Sequence, residues 1–179
     1  PADATEAVWA WIWAVRRNNM PVVLVLSRQD LPVIDRGGHL EPSEHLSGAY
    51  VLADPPDGNP VAIIIASGSE VHIALEARDI LEKEGVATRV VSMPCWEAFE
   101  EMDEEYKESV LPSEIKARVS VEAGATFGWR RWIGEKGIAI GIDRFGASAP
   151  GPVVAENYGM TAENVVNAVR ECLRLVNYS

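Results

Sequence analysis

Val61-Ala-Ile-Ile-Ile-Ala-Ser-Gly-Ser-Glu-Val-His-Ile-Ala-Leu-Glu-Ala-Arg-Asp-Ile-Leu-Glu-Lys-Glu-Gly85 reads as a strand, a turn and a helix, and opens an alternation of strands and helices that continues downstream without an internal sequence repeat. Residues 61–66 form an unbroken aliphatic run without polar alternation, the pattern of a strand buried on both faces, as in parallel sheets. Gly68-Ser69-Glu70 is a tight turn. From Glu70 to about Glu84 the spacing predicts a helix with Val71, Ala74, Leu75 and Leu81 inward, and Gly85 suits the residue just past its end.

Reading downstream, the same alternation continues. Val86–Ser92 reads as a strand, Met93-Pro94 as a break, and Trp96 to about Val110 as an acidic helix open to interruption that ends before Pro112. Ala117–Val121 and Ile138–Ile142 are two more strands, separated by a helix near Phe127–Ile133. The chain closes with Thr161-Ala-Glu-Asn and a helix through Leu173, its face set by Val165, Val166, Val169, Cys172 and Leu173. Strands alternating with helices at short intervals argue for a parallel or mostly parallel sheet with right-handed crossovers. From residue 60 the expected fold class is α/β, an open three-layer α/β/α sandwich.

Upstream the pattern differs. Between Leu31 and Pro60 the chain is rich in Pro and Gly, interrupted by one short strand at Ala49–Leu52, and reads as a linker. Before it, Asp3-Ala-Thr-Glu6 is an acidic N-cap signal for a helix reaching towards Asn19, with Val8, Trp11, Ile12 and Val15 as its apolar stripe. Trp9 and Trp13 widen that stripe beyond half the circumference, so the helix should be covered on two sides, which one short domain does not readily supply. Val22–Leu26 reads as another doubly buried strand. Residues 1–36 therefore look like the last helix and strand of a different sheet, and a first residue of Pro rather than Met points to a piece of something longer.

The 179 residues suit one main core, and 47% hydrophobic with 24% charged residues is a globular composition. A net charge of −11 gives no average field to attract nucleic acid or an anionic membrane, though one or two arginines could hold a small anion locally. Cys95 and Cys172 have no metal or redox spacing, and no apolar stretch or N-terminal pattern marks a membrane span or a signal peptide. The expected compartment is a reducing, cytoplasmic one.

In open α/β sheets ligands bind beyond the C-terminal ends of the strands, which directs attention to 27–30, 66–70, 92–96, 122–127 and 143–148. At Ser27-Arg28-Gln29 an arginine fork and a hydroxyl could clamp a phosphate; the same arginine could equally serve in a domain-interface ion pair. Ser67-Gly68-Ser69-Glu70 could expose N–H groups to an anion, but Ser69 and Glu70 also read as ordinary capping residues, and no nucleotide-loop spacing is present. His39, His45 and His72 have no helical partner for a metal, and neither Ser69 nor Ser148 lies in a nucleophile elbow. Asp103-Glu-Glu105 reads as a solvated face and Cys95 as a packed thiol. Asp143-Arg-Phe-Gly-Ala-Ser-Ala-Pro150 is either a structural turn, with Asp143 pairing Arg144 or capping a neighbour, or a domain or subunit contact.

Several segments together resemble the transketolase family at the end of its pyrimidine-binding domain and through its C-terminal domain. They are Pro1-Ala-Asp3, Leu26-Ser-Arg-Gln29 with Leu31-Pro32, Gly48-Ala-Tyr-Val-Leu52, Ala66-Ser-Gly-Ser-Glu-Val71, Arg89-Val-Val-Ser-Met-Pro94, Tyr106-Lys-Glu-Ser-Val-Leu-Pro112, Val121-Glu-Ala-Gly124, Gly141-Ile-Asp-Arg-Phe-Gly-Ala-Ser-Ala149, Tyr158-Gly-Met-Thr161 and Glu163-Asn-Val-Val166. The resemblance implies a cytoplasmic homodimer of the pentose phosphate pathway. Such an enzyme uses thiamine diphosphate and a divalent metal, magnesium or calcium, to move a two-carbon ketol unit from a ketose phosphate to an aldose phosphate. It divides the chain into 1–36, the end of the pyrimidine-binding domain; 37–59, a linker; and 60–179, the C-terminal domain. It also implies that Arg28, with Ser27 beside it, contacts the substrate phosphate. The segments that hold cofactor and metal in that family have no match here, so the chain is expected to bind neither, to supply no catalytic residue and to be inactive without its remaining domains. Departures from the family pattern are Trp9, Trp11, Trp13 and Gly37–Ser43. Two other readings stay open: a stand-alone binding or regulatory subunit pairing with a separate thiamine-binding chain, and a sister thiamine enzyme such as a deoxyxylulose-phosphate synthase or a 2-oxo acid dehydrogenase β subunit. Ile142-Asp-Arg-Phe-Gly-Ala-Ser148 weighs against the last.

Overall fold

The computed structural model describes residues 1–37 and 46–177, so His39 and His45 lie outside the described residues. Five strands form one sheet: β1 (Tyr50–Ala53), β2 (Ala62–Ala66), β3 (Thr88–Ser92), β4 (Arg118–Val121) and β5 (Ile138–Ile140), in the order β1-β3-β2-β4-β5. β3, β2, β4 and β5 run parallel, with Ile64 opposite Val90 on one side and Val119 on the other. β1 is an antiparallel edge strand that places Tyr50 opposite Ser92 and is bulged between Val51 and Ala53. The helices are α1 (Ala4–Arg16), α2 (Glu70–Lys83), α3 (Trp96–Glu100), α4 (Glu104–Val110), α5 (Arg130–Ile133), α6 (Gly151–Asn157) and α7 (Ala162–Asn177).

Strand alternation splits the core into two layers. Ile64, Val90, Val119 and Val121 face α2 and α7, meeting Val71, Ala74, Leu81, Val165, Val169 and Cys172. Ile63, Ile65 and Val91 face the other way, against Phe99, Val110, Trp129 and Ile133 from α3, α4 and α5. The expected three-layer α/β/α sandwich is therefore present. Two arginines, Arg89 buried and Arg118 partly so, tie its loops: Arg89 forks onto Asp54 and donates to the carbonyls of Ser109 and Val110, while Arg118 donates to those of Ile115, Leu111, Pro112 and Trp132. Arg118 meets only carbonyl oxygens in these bonds, and burial lowers its pKa from the usual value.

The interruption that the acidic helix allowed for is present: Asp103 accepts from Tyr106 N at 2.8 Å and starts α4 afresh. Three local expectations change. The helix expected from Phe127 begins at Arg130, since Gly128 takes a left-handed φ of +92° that a continuous helix cannot contain. α6 was not anticipated from its small, Pro-containing sequence; Pro152 falls at the first helical turn, where its missing N–H has no consequence. Finally, residues 22–26 form no strand. Val23 and Val25 are 82% and 81% exposed, because a doubly buried strand needs a neighbour on each edge and none of the described residues supplies one.

Candidate functional site: the cleft between the N-terminal segment and the sheet

Helix α1 and residues 22–27 enclose a cleft of about 440 Å³ against the C-terminal ends of β2 and β4. Trp9, Trp13, Leu24 and Leu26 form its apolar wall, and Ser67–Glu70, Pro94, Cys95 and Glu122 line the opposite side. Of the five places singled out in the sequence, four meet here; the loop at 143–148 stands apart.

The sheet side of the cleft is anionic. Glu122 accepts from Ser67 Oγ at 2.7 Å and from the Trp129 indole at 3.0 Å. Glu70 accepts from Ser69 Oγ at 2.7 Å and from Ala123 N at 3.0 Å. Ser69 makes no side-chain cap on α2, so the capping reading of this turn is corrected: Ser69 and Glu70 instead bridge the start of α2 to the end of β4. Two carboxylates at these strand ends oppose any phosphate there.

Arg28 is exposed, outside the cleft lining, and makes no hydrogen bond or ion pair with any described residue. Ser27 lines the cleft and donates to Gln29 O at 3.4 Å, which shapes the turn carrying Arg28.

A buried polar cluster, not anticipated from the sequence, joins α1 to the sheet edge. Asp3 caps α1 by accepting from Glu6 N at 2.9 Å, takes the N–H of Ile34 at 2.9 Å, and receives Arg36 through both terminal nitrogens at 2.7 and 3.1 Å. Arg36 Nε donates to the Tyr50 hydroxyl at 3.1 Å, and that hydroxyl donates to Glu6 Oε1 at 2.6 Å. Ser92 Oγ donates to the same Glu6 oxygen at 2.5 Å, while Glu6 Oε2 accepts from Ala2 N at 2.6 Å. Burial, with the Glu6 charge beside it, pushes the Tyr50 phenol far above its ordinary pKa and keeps it a donor. Burial opposes the Arg36 charge, yet the Asp3 partner outweighs it and raises the guanidinium pKa. His72 Nε2 meets Ala2 O at 3.2 Å, and Arg17 forks onto Glu101, so α1 is fastened at both ends.

Asp3 gives a pH prediction. Burial would raise its pKa, but Arg36 and the N–H groups of Glu6 and Ile34 together hold it below the usual value. The unfolded chain, with Asp near about 3.9, binds this proton at a higher pH than the folded one. The contribution is thus complete above about pH 4 and is lost as pH falls through the lower folded value. Asp3→Asn should be less stable near neutrality and show a flatter acid limb in urea titrations run from about pH 3 to 7. A limb as steep as that of the unsubstituted chain would take Asp3 out of the acid response.

Asp143 accepts from Thr126 N at 2.8 Å and Thr126 Oγ1 at 2.7 Å, bonds that lower its pKa and close a structural turn; Arg144 instead lies over Tyr158. Phe127 and Phe145 project from these two loops almost fully exposed. Burial pushes both thiols up, leaving Cys95 against Glu97 and Cys172 donating to carbonyl oxygens, so neither is primed as a nucleophile. Thiamine diphosphate and its metal do not fit these residues: the strand ends present Glu70 and Glu122, and no three His, Cys, Asp or Glu side chains converge among the described residues. No described helix is long and apolar enough to cross a membrane.

Comparison with known proteins now bears on this geometry. The family model described as the transketolase-like C-terminal domain matches residues 48–161. The transketolase of Aquifex aeolicus is 50% identical over 171 residues, covering 96% of this chain and 25% of its own length. The crystal structure of Pichia stipitis transketolase in complex with sedoheptulose 7-phosphate superposes with a TM-score of 0.90 at 32% identity, over 100% of this chain and 25% of that one. A split-gene transketolase, solved as an inactive β4 tetramer, superposes with a TM-score of 0.73 at 27% identity, over 98% of this chain and 57% of that one. The chain spans about a quarter of the length of curated relatives such as the Aquifex protein. With the sheet order, both core layers and the strand-end carboxylates already placed, the matched segment fixes the family, and the chain belongs to the transketolases through their C-terminal domain.

Proposed function

We propose that this chain is the C-terminal part of a transketolase and that Arg28, with Ser27 shaping its turn, binds the phosphate end of the sugar substrate during two-carbon ketol transfer. In this reading residues 1–36 complete the pyrimidine-binding domain, 37–59 link, and 60–179 form the C-terminal domain. Thiamine diphosphate and a divalent metal, magnesium or calcium, are held by the remaining domains, in a homodimeric cytoplasmic enzyme.

The observation that carries the reading is a pair of features in the N-terminal segment. Arg28 makes no hydrogen bond or ion pair with a described residue, and the same segment of chain carries apolar side chains that no described residue covers. Val8, Trp11 and Val15, expected to be buried, face outward on α1, and Val23 and Val25 do the same on the following segment. The covered side of α1 is instead the one carrying Glu6, Trp9 and Trp13. Exposed apolar stripes on a helix and an adjoining segment suit the missing part of a sheet domain.

The test measures ketol transfer from a ketose phosphate to an aldose phosphate with thiamine diphosphate and Mg²⁺ present. The chain is assayed alone, mixed with a polypeptide carrying the remaining transketolase domains, and fused to it. No turnover alone and turnover with those domains is the expected result. Turnover by the chain alone, or none in any combination, would overturn the reading. Activity on simple mixing would favour a separate subunit, a second reading supported by the likeness to the split-gene transketolase.

A further inference from the structure

We infer that the buried Asp3, Glu6, Arg36, Tyr50 and Ser92 cluster is a positioning lock through which the sheet of the C-terminal domain sets the place of Arg28. The inference rests on the phosphate-binding role proposed for Arg28 and gives the C-terminal domain a part in substrate recognition.

The segment carrying Arg28 is held on both sides. Residues 22–27 lie along the cleft against α1, and after the Arg28 turn the chain is caught again at Ile34 and Arg36, whose N–H and guanidinium converge on Asp3. Only five residues lie between Arg28 and the first of these anchors, a tether of at most about 20 Å, further restricted by Pro32. Where Asp3 and Arg36 stand therefore limits where Arg28 can stand. Their own placement depends on the sheet: Tyr50 in β1 bridges Arg36 to Glu6, and Ser92 in β3, its register partner, donates to the same Glu6 oxygen.

The cluster is built as a lock. The Asp3 and Arg36 side chains are 0% and 7% exposed, and Glu6 is 2% exposed. Each carboxylate meets at least one full donor, and the Tyr50 hydroxyl both accepts and donates. Removing one member leaves a buried charge or acceptor without its partner, which favours rearrangement of the whole group over local repair. None of these side chains is free to reach a substrate, so they act through Arg28.

The test is Tyr50→Phe in the assembled enzyme, with all its domains and cofactors. This change removes one hydroxyl and keeps the buried ring. The expected result is a rise of about three- to tenfold in KM for phosphorylated substrates, with kcat and the KM for a phosphate-free ketol donor unchanged. In an Arg28→Ala background the same change should add nothing to KM, because the lock works only through that side chain. Ser92→Ala, which removes the other donor to Glu6, is the second variant and decides the matter if Tyr50→Phe does not fold. Equal effects on phosphorylated and phosphate-free donors, full additivity with Arg28→Ala, or an unchanged KM would overturn the lock. An Arg28→Ala enzyme with unchanged KM for phosphorylated substrates would instead remove the phosphate-binding reading, and the lock with it.

Discussion

Arg28→Ala, introduced into the assembled transketolase, is expected to lower kcat/KM for phosphorylated ketoses and aldoses about 10- to 150-fold, mainly through KM. That is the factor corresponding to about 1.5 to 3 kcal/mol for charge-assisted hydrogen bonds. The guanidinium stands exposed and makes no hydrogen bond or ion pair with a described residue, so its removal should leave no buried partner stranded, and fold stability should change little. The loss should therefore be seen in kinetics and not in unfolding. A phosphate-free donor supplies the control, since its KM should be unaffected. Arg28→Lys should fall between, keeping the charge but losing the planar fork that meets two phosphate oxygens. Equal losses with and without the phosphate would place Arg28 in general active-site structure, and no loss at all would remove it from the site.

Two similar apolar runs show what the sequence could and could not say. Residues 62–66 and 22–26 have the same doubly buried pattern, yet one is the central strand of the sheet and the other is unpaired and largely exposed. A continuous β-branched run records that both faces expect cover; it does not record whether the chain contains the strands to provide it. The tryptophan helix repeats the point, with Val8, Trp11 and Val15 turned outward. The sandwich from residue 60 was legible because each of its strands has its crossover and neighbour within a short distance in sequence. The positioning cluster was not, because Glu6 looks like an ordinary capping-box residue, and its partners Tyr50 and Ser92 lie 44 and 86 residues away. A buried Glu is the only signal that could have exposed them, and burial is not written in a capping motif. Nor could spacing choose between phosphate and ion pair for Arg28; that choice came from the family resemblance, to which the structure adds that the arginine has no partner among the described residues.

Gly48→Ala should be the most destabilising glycine-to-alanine change among the described residues, costing more than about 4 kcal/mol and lowering Tm by about 8 °C or more. Two penalties combine. Gly48 has φ of +81°, a left-handed conformation costing a side-chain-bearing residue roughly 1 to 2 kcal/mol. A Cβ there would also lie 2.2 Å from Cys95 O, 2.4 Å from Phe99 N and 2.8 Å from Ala98 Cβ. The first two contacts are backbone atoms at the start of α3, so no rotamer change can relieve them, and Gly48 O already accepts from Cys95 N at 3.0 Å. Either α3 moves, carrying Phe99 out of the second core layer, or residue 48 moves and draws β1 with it. Gly58→Ala is the matched control: its φ is +72°, but nothing lies within 4 Å of an added Cβ, so only the conformational penalty of about 1 kcal/mol should appear. The comparison by thermal or urea unfolding separates contact from conformation. Equal losses at the two positions would mean that α3 is not seated on residue 48. A much larger loss at 48 would tie β1, and with it the Tyr50 end of the lock, to the close approach of backbone that only glycine permits.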